Sequence, residues 1–503
     1  MGPLERQVES FVQENLPDDP ETWCAGAKKK IIHDALWGTF PLHRHEVALL
    51  DTPLLQRLRF LHQTGAVYLT YPSAHHTRFE HTLGVLCQAS RLCTGLRRNS
   101  DERRITDALE NEVRCAALMH DTGHGPFSHT SEQFFSALPE LQEFREAHSQ
   151  LEHSGGGEIL SYLITTSQPF REFIRVVGEQ CQIDLSPDTV GRLITGTMPD
   201  DQIYKSEIVH GPFDADKIDY MPRDGMFSGL RMHVDIDRLY NSIHIRTADV
   251  GGGRQTRLAG STAGLSPLQQ LLFNRMLLFT GMYHHHKVRA VDCMLWAVFK
   301  LAVERECDVG GVSLQGPADF LRVTDDRLLI QELATDNDVR GIVDSIRRRR
   351  LWKKALVIAR STVPEEMYGN VKDSSGDLLA GVMLLAGDEP ENLRRKMEIA
   401  LQIWEAAGKP CKSHEVWLDV PRLPGVTEAK QMWIEPSQGA QPQTLDEFIP
   451  ISHWVELYGI HQARAHVFCP PEHCRLIGQA AEDVLKEMFK LTFLDQAKVY
   501  SRN

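Results

Sequence analysis

The segment Ala116-Ala117-Leu118-Met119-His120-Asp121-Thr122-Gly123-His124-Gly125-Pro126-Phe127-Ser128-His129 is the stretch that decides the fold class of this chain. It places an imidazole and a carboxylate side by side after an apolar run, a pattern that predicts the inner end of a buried helix. Successive helix residues do not share a face, but both can reach a metal ion that lies between them. Divalent ions accept mixed nitrogen and oxygen ligands, and a metal supplies the partner that a buried carboxylate needs. The segment therefore predicts a metal site.

Two other segments contribute residues of the same kinds. Upstream, Arg78-Phe79-Glu80-His81 opens another apolar helix, and downstream lies Asp214-Ala215-Asp216-Lys217-Ile218-Asp219-Tyr220, followed by Arg223-Asp224. Two histidines and two carboxylates drawn from three segments form one candidate ligand set with room for water. The candidate metal ligands are His81, His120, Asp121 and Asp216.

Taken together, these motifs resemble the HD-domain phosphohydrolases. Within that family the likeness is to the deoxynucleoside triphosphate triphosphohydrolases, and most of all to the animal members that join an HD domain to a sterile alpha motif. No segment here is expected to form that additional domain. The resemblance begins at Lys30-Ile31-Ile32-His33-Asp34, continues to Arg275 and Tyr283, and extends more faintly into the C-terminal part. It implies one divalent ion at the quartet, with Fe, Mn, Zn, Ni and Mg left open, and a further Mg on the triphosphate.

The resemblance also implies roles for residues around the metal. His124, His129 and His153 match histidines near the α-phosphate, and a histidine of near-neutral pKa suits proton transfer. We assign His129 as the acid for the leaving 5′ oxygen and His124 as a phosphate ligand. The predicted substrate-binding residues are Gln63 and Thr64 beside the sugar, Arg78, Lys217 and Arg275 on the triphosphate, and Tyr220, Asp224 and Tyr283 around the sugar and base.

One sugar-side position departs from the family pattern. Thr64 stands where the similar enzymes have a leucine that excludes a ribose 2′-hydroxyl. A threonine is smaller and carries its own hydroxyl, so deoxyribose preference is implied only by the resemblance.

Residues before the metal motifs match a regulatory site. Asp51, Gln56 and Arg59 correspond to residues of an activating guanine-nucleotide site between subunits, although His33 replaces an asparagine there. The resemblance therefore implies activation by GTP or a dNTP and a homo-oligomer, a dimer or a tetramer.

The composition is that of a soluble globular protein. The 503 residues are 42% hydrophobic and 24% charged, with a net charge of −13, and no apolar run is long enough to cross a membrane. The ten cysteines show no framework of spacings, and the N-terminus lacks a signal-peptide pattern, so a reduced location is predicted, cytoplasmic, or nuclear in a eukaryote. The acidic balance disfavours nucleic acid, but a local basic cleft remains compatible with an anionic substrate.

The chain organisation predicts a mainly α protein, an HD-domain helical fold with a small C-terminal α+β lobe. The predicted parts are an N-terminal extension (1–29), the HD domain (30–300), a helical connection (301–360) and the C-terminal lobe (361–503). Glycines between short alternating runs predict a β-hairpin within Ser242–Leu258. Further strands are predicted at Val416–Val420, Gln431–Ile434 and Ala465–Phe468, before a closing helix over Ile477–Phe489.

The sequence thus predicts a metal-dependent enzyme that hydrolyses a dNTP to a deoxynucleoside and inorganic triphosphate. Two alternatives remain open at this point. One is another HD phosphohydrolase: a nucleotide phosphatase, a phosphodiesterase or a nuclease. The other is a nucleotide-sensing or nucleic-acid-binding protein with a vestigial site.

Overall fold

A computed structural model describes residues 2–367, 378–387, 389–422 and 427–499. Helices dominate the chain up to residue 350, which confirms the predicted mainly α class. The helices of this part are α1 (Pro3–Glu14), α2 (Pro20–Gly26), α3 (Arg44–Leu50), α4 (Pro53–Gln56), α5 (Arg78–Asn99), α6 (Asp107–Met119), α7 (His129–Phe135), α8 (Pro139–Ala147), α9 (Gly156–Thr166), α10 (Gln168–Cys181), α11 (Pro187–Thr195), α12 (Ile203–Ser206), α13 (Ala215–Ser228), α14 (Ile236–Ser242), α15 (Leu265–Leu278), α16 (His286–Glu304), α17 (Asp325–Leu328) and α18 (Asn337–Arg347).

Helix caps place two of the three metal motifs. α5 begins behind a capping box in which the Thr77 amide donates to the Glu80 carboxylate at 2.6 Å. The amide of Lys217 donates to the Asp214 side chain at 2.8 Å and starts α13. Such caps satisfy amides that have no partner in a helix's first turn. Because α5 packs against both α6 and α13, the first turns of α5 and α13 lie near the C-terminal end of α6.

Within the described residues, eleven strands form four small sheets. The first is the hairpin of β1 (Lys30–Asp34) and β2 (Gly38–Leu42), which the sequence reading did not predict, and another is the short pair β5 (Asp308–Val309) and β6 (Val312–Ser313). The strands of the other two sheets are β3 (Ile243–Val250), β4 (Gly253–Ser261), β7 (Lys353–Ala359), β8 (Trp417–Asp419), β9 (Trp433–Glu435), β10 (Gln443–Thr444) and β11 (Arg464–Cys469).

The predicted hairpin is confirmed as β3 and β4. Its two-residue loop, Gly251 and Gly252, has φ of 62° and 85°, values that favour glycine and the twist of a tight hairpin. The predicted strand near Gln431 forms as β9, which pairs in parallel with β4 and antiparallel with β10, and lies outside the sheet of β7, β11 and β8. Gly260 permits this approach, since a Cβ there would lie 3.1 Å from Ile434 Cδ1.

The C-terminal region holds a second, smaller core. Its sheet has the order β7-β11-β8 and is antiparallel, which confirms the strands predicted near Val416 and Ala465. β7 starts at Lys353, so the sheet begins inside the segment predicted as a helical connection, because apolar Ala355, Leu356 and Ile358 pack into this second core. The helices that pack into this second core are α19 (Leu378–Met383), α20 (Pro390–Ala406) and α24 (Cys474–Phe489). Three others, α21 (Thr427–Lys430), α22 (Leu445–Phe448) and α23 (Ile451–Gln462), place buried residues in the larger core.

None of the helices in the described parts of the chain is both long enough and apolar enough to pass through a bilayer.

Candidate metal centre and active site

Three of the predicted metal ligands converge from three helices. The candidate ligand atoms of His81, His120 and Asp216 all lie within 4.8 Å of one another. His81 Nε2 is 2.9 Å from Asp216 Oδ1, and His120 Nε2 is 3.9 Å from the same oxygen. The fold thus brings together residues that are up to 135 positions apart in the sequence.

Asp121, the fourth predicted ligand, lies beside the Nε2 atoms of His81 and His120. Its Oδ1 is 3.4 Å from His120 Nε2, and its Oδ2 is 3.7 Å from His81 Nε2 and 2.7 Å from Arg78 Nη1. Burial by itself raises the pKa of Asp121, but Arg78 and the neighbouring imidazoles outweigh it and hold the pKa well below its usual range. Asp121 is therefore an anion at neutral pH.

The donor set fits a divalent ion. His120 Nδ1 lies 2.8 Å from the Ala117 carbonyl, whereas the buried Nε2 makes no hydrogen bond within the described residues. A buried polar atom without a partner costs stability, and a cation held by neutral nitrogen and carboxylate oxygen removes that cost. His81, His120, Asp121 and Asp216 are the residues that would hold the ion.

Electrostatics at the centre favour ionised carboxylates. Burial raises the pKa of Asp216, but its hydrogen bond to His81 and the charges around it lower the pKa below the ordinary value. His81 responds in the opposite sense: burial lowers its pKa, while hydrogen bonds to Asp216 and Asp219 raise it to about 10. An imidazole with this affinity for positive charge can exchange its proton for a metal ion.

A second histidine cluster adjoins the first. The ligand-type atoms of His124, His129 and Glu132 lie within 4.8 Å of one another, and Asp121 Oδ1 is 3.4 Å from His124 Nε2. His129 Nδ1 lies 2.7 Å from Glu132 Oε2, and the His129 side chain is 69% exposed. Burial and Arg78 lower the pKa of His124, with Glu132 and Asp121 opposing them. His124 is thus neutral and buried, while His129 is open to a substrate.

His153 is placed apart from this pair. It lies exposed on the turn that precedes α9 and belongs to neither of the two clusters. The glycines that follow it start α9, and the backbone amide of Gly157 donates to Glu132 Oε1 at 2.9 Å. The turn therefore approaches the site through Gly157, and a catalytic role for His153 stays a prediction.

The three predicted phosphate-binding residues have different surroundings. Arg78 is 1% exposed, and besides Asp121 it contacts Ser128, to which its Nε donates at 2.8 Å. Lys217 Nζ donates to the Gly211 carbonyl at 2.9 Å and to Asp214 Oδ2 at 2.7 Å. Arg275 has a buried Nε that makes no hydrogen bond within the described residues. Arg78 Nη2 is likewise buried without a hydrogen bond within the described residues, so both arginines keep unused donor capacity.

Asp224, Tyr220 and Tyr283 are the residues predicted around the sugar and base. The Tyr283 hydroxyl donates to Asp224 Oδ2, and His76 Nε2 lies 2.7 Å from Asp224 Oδ1. Burial raises the pKa of Tyr220 to about 12, although nearby Arg275 and Lys217 lower it. Tyr220 therefore keeps its proton at neutral pH, and its pKa responds to the charges of two predicted phosphate ligands.

Gln63 and Thr64 carry unpartnered polar atoms. Gln63 Oε1 and Thr64 Oγ1 are both buried, and neither makes a hydrogen bond within the described part of the chain. The backbone amide of Gln63 donates to the backbone carbonyl of His76 at 3.0 Å, and this connects the segment to His76, the partner of Asp224. Two neighbouring groups without partners are compatible with a polar ligand.

The predicted regulatory residues lie together near the surface. Lys30 Nζ is 2.6 Å from Asp51 Oδ2, and Arg59 Nε donates to Gln56 Oε1 at 2.7 Å. The exposed Arg59 guanidinium also lies over the Phe79 ring at 3.6 Å from its centroid. Their use by an activating nucleotide stays a prediction.

Four site residues had no assigned role in the sequence analysis. Asp219 and Arg223 follow Asp216 on α13 at spacings of three and seven, and Glu132 follows His129 by three, so helical spacing could have identified them. His76 gave no such signal, because its partner Asp224 is 148 residues away.

Two family descriptions match this chain. The HD domain matches residues 78–164, which include His81, His120, Asp121, His124 and His129. The HD associated region matches residues 234–490, just over half of the chain. Asp216 lies between the two matched regions.

Curated relatives share 27% identity with this chain. The deoxynucleoside triphosphate triphosphohydrolase SAMHD1 of Gallus gallus aligns over 388 residues, 72% of this chain and 60% of its own length. The Homo sapiens protein of that name aligns over 350 residues, 64% of this chain and 54% of its own length. An uncharacterized protein of Methanocaldococcus jannaschii aligns over 328 residues, 65% and 59% of the two lengths. The chain thus spans between half and two thirds of these relatives.

Proposed function

Since the chain belongs to the HD-domain family of phosphohydrolases, we propose that it is a metal-dependent nucleotide hydrolase that converts a dNTP to a deoxynucleoside and inorganic triphosphate. Two of the relatives are named deoxynucleoside triphosphate triphosphohydrolases, which supports this substrate class.

One observation carries the proposal: Asp121 joins the two histidine clusters. Its Oδ1 lies 3.4 Å from both His120 Nε2 and His124 Nε2. A phosphoryl group bound at this point would contact the metal ligands on one side and the His124–His129 pair on the other. The arrangement suits cleavage of a phosphoester bond, because it offers a cation site and a proton donor within one substrate's reach.

His129 serves as the proton donor in this proposal. Glu132 accepts a hydrogen bond from His129 Nδ1. This bond fixes the ring orientation and leaves Nε2 to donate a proton to the departing 5′ oxygen. The buried, neutral His124 then binds a phosphoryl oxygen. When bound at the quartet, a divalent ion acts as a Lewis acid that polarises the phosphoryl group and activates water.

Cationic side chains bind the outer phosphates. Arg275 has the free donor capacity for this role, because guanidinium groups form paired hydrogen bonds with phosphate oxygens. Arg78 is assigned a different contribution: it neutralises Asp121 and fixes its orientation beside the α-phosphate position. Asp224, Tyr220 and Tyr283 bind the sugar and base.

We also propose regulation by a nucleotide that binds near Asp51, Gln56 and Arg59 in a homo-oligomer. The exposed guanidinium of Arg59, stacked on Phe79, offers charge and an aromatic neighbour to such a ligand. Size-exclusion chromatography with light scattering, with and without GTP and each dNTP, should show a nucleotide-dependent increase in mass. An unchanged mass under all conditions would contradict this part of the proposal.

Product analysis tests the catalytic proposal. The protein should be incubated with each dNTP and NTP and, separately, with Mg²⁺, Mn²⁺, Fe²⁺, Zn²⁺ or Ni²⁺, and products should be separated by anion-exchange chromatography. We expect equimolar deoxynucleoside and triphosphate, and no turnover by the His120→Ala control. Orthophosphate would indicate a nucleotide phosphatase, and cleavage of cyclic or polymeric substrates a phosphodiesterase or nuclease. Nucleotide binding without turnover would indicate a sensor.

A further inference from the structure

The turn that carries His129 has an unusual backbone. Phe127 and Ser128 have φ of 57° and 54°, in the left-handed region that favours glycine, and ψ of Ser128 is −119°. Non-glycine residues hold such conformations only where surrounding contacts enforce them. Because His129 directly follows as the first residue of α7, the contacts of this turn set the position of its ring.

Asp325 holds the turn from outside the HD domain. Its Oδ1 accepts a hydrogen bond from the Phe127 amide at 2.6 Å. Its Oδ2 accepts one from the His62 amide at 2.8 Å and lies 2.8 Å from His62 Nδ1. The Ser128 hydroxyl in turn donates to the His62 carbonyl at 2.5 Å. Asp325 is 1% exposed, so its carboxylate binds only the turn and the neighbouring segment at His62 among these groups.

Asp292 holds the other end of the turn. The Thr130 hydroxyl donates to Asp292 Oδ1 at 2.8 Å, and Asp292 Oδ2 pairs with Arg289 Nη1 at 3.1 Å. Arg289 also binds Asp419 of β8 at 2.7 Å, which anchors α16 to the C-terminal sheet. The Thr130 carbonyl accepts a hydrogen bond from Trp296 Nε1 at 2.9 Å. The residues before and after His129 are thus fixed by groups on α16 and α17.

We propose that Asp325 and Asp292, both within the HD associated region, are positioning residues that hold the strained turn and thereby aim His129 at the substrate. This rests on the proposed function only for the consequence in catalysis. It gives the HD associated region a direct part in the active site, because the strained turn has its two carboxylate anchors there.

The test compares matched variants of the full chain. Asp325→Asn keeps the shape but removes the charge, and Asp326→Asn is the control, since Asp326 is the exposed neighbouring carboxylate. Thr130→Val removes the hydroxyl that binds Asp292 while preserving volume, and it decides the question if Asp325→Asn does not fold. Each variant is measured for nucleotide turnover, for hydrolysis of bis(p-nitrophenyl) phosphate, and for the ring ¹³C–¹H NMR signal of His129, assigned by its loss in His129→Ala.

Displacement of the ring should affect proton donation most. We expect kcat for the nucleotide to fall by about 10- to 100-fold in Asp325→Asn and by less in Thr130→Val, with KM nearly constant. Bis(p-nitrophenyl) phosphate should be affected less, because its leaving group needs no proton. The His129 signal should shift in both variants but not in Asp326→Asn.

An unshifted His129 signal in a folded Asp325→Asn and in Thr130→Val overturns the inference, whatever the activity. Equal losses of turnover on both substrates would also overturn it, since a general loss of structure has that effect. If His129→Ala itself retains full nucleotide turnover, the proposed acid role fails instead, and the NMR signal still decides whether the two carboxylates position the ring.

Discussion

His81 Nδ1 lies 2.8 Å from Asp219 Oδ2, on the opposite side of the ring from the Nε2 atom that faces Asp216. Asp219 is fully buried, and it also accepts hydrogen bonds from Arg223 at 2.8 and 2.9 Å and from the Trp37 indole. Because its carboxylate is held by these donors, Asp219 fixes both the orientation of the His81 ring and the nitrogen that is left for a metal ion.

Asp219→Asn should therefore weaken metal binding while leaving all four proposed ligands in place. A carboxylate that accepts the second N–H of a metal-binding histidine contributes about 10- to 100-fold in affinity. Isothermal titration of the metal-free protein with Mn²⁺ measures the change. Asp34→Asn is the control, because Asp34 pairs with Arg223 at 3.0 Å without contacting His81. An equal loss in both variants would assign the effect to Arg223 and not to the His81 contact.

His120→Ala and Asp121→Ala should each remove bound metal and abolish turnover. His120 Nε2 makes no hydrogen bond within the described residues, so its loss breaks none at that atom. Elemental analysis of the purified variants measures metal content, and circular dichroism checks the fold. A variant with full metal content and normal turnover would show that the quartet is assigned incorrectly.

Arg275→Ala and Arg78→Ala should differ in what they lose. Arg275→Ala should weaken transition-state binding of a triphosphate by about 1.5–3 kcal/mol, the scale of charge-assisted hydrogen bonds, and this loss is measured as a fall in kcat/KM. Metal content should stay unchanged. Arg78→Ala leaves the buried Asp121 carboxylate without its guanidinium partner, so metal content should fall as well. Steady-state kinetics with elemental analysis separates the two. Equal metal loss in both variants would contradict the distinction.

The helical fold and the composition of the metal quartet could be predicted because their signals are local. An apolar run that follows His81 and another that precedes His120 identify a helix start and a helix end, and the glycine pair at residues 251–252 identifies a hairpin. The partner of β9 could not be predicted in this way. A three-residue strand carries no information on whether it pairs with β4 or with β11, since this depends on the space above Gly260.

Side-chain partners of charged residues were also beyond the sequence. The phosphate-binding role of Arg78 stays a prediction, but its contacts with Asp121 and Ser128 could not be predicted, because they depend on the return of the turn after α6 to the first turn of α5. Likewise, nothing in the sequence linked Asp325 to the amide of Phe127, from which it is separated by 198 residues. Long-range contacts of this kind follow from the folded backbone and have no periodic pattern.

Stability should decrease as the pH falls from about 6.5 towards 4. Burial lowers the pKa of His45 from 6.5 to about 4, with Glu46 opposing the shift. Between these values the unfolded chain binds a proton that the folded protein does not, so the unfolded state is favoured as pH falls, by up to about 3 kcal/mol for this residue. Urea unfolding at several pH values measures the slope. The dependence of the unfolding free energy on pH should become shallower in His45→Gln. It should not change in His153→Gln, which is the exposed control. Equal slopes in these two variants and the unmodified protein would refute the assignment to His45.

Sugar selection is expected to depend on Thr64. Its buried Oγ1 and the neighbouring Gln63 Oε1 both lack hydrogen-bond partners within the described residues, so this wall can accept a polar group of the substrate. If Thr64 lies beside the sugar C2′, Thr64→Leu should exclude ribonucleotides by steric overlap and change dNTP turnover only modestly. The loss of one apolar wall is worth about 1–3 kcal/mol, so the unmodified protein should discriminate weakly against NTPs. The ratio of kcat/KM for dGTP and GTP in the two proteins decides the matter, with Thr70→Leu as a control for a threonine outside the predicted site. A ratio that stays constant on Thr64→Leu would assign sugar selection to Tyr283 or Asp224, which hydrogen-bond to each other.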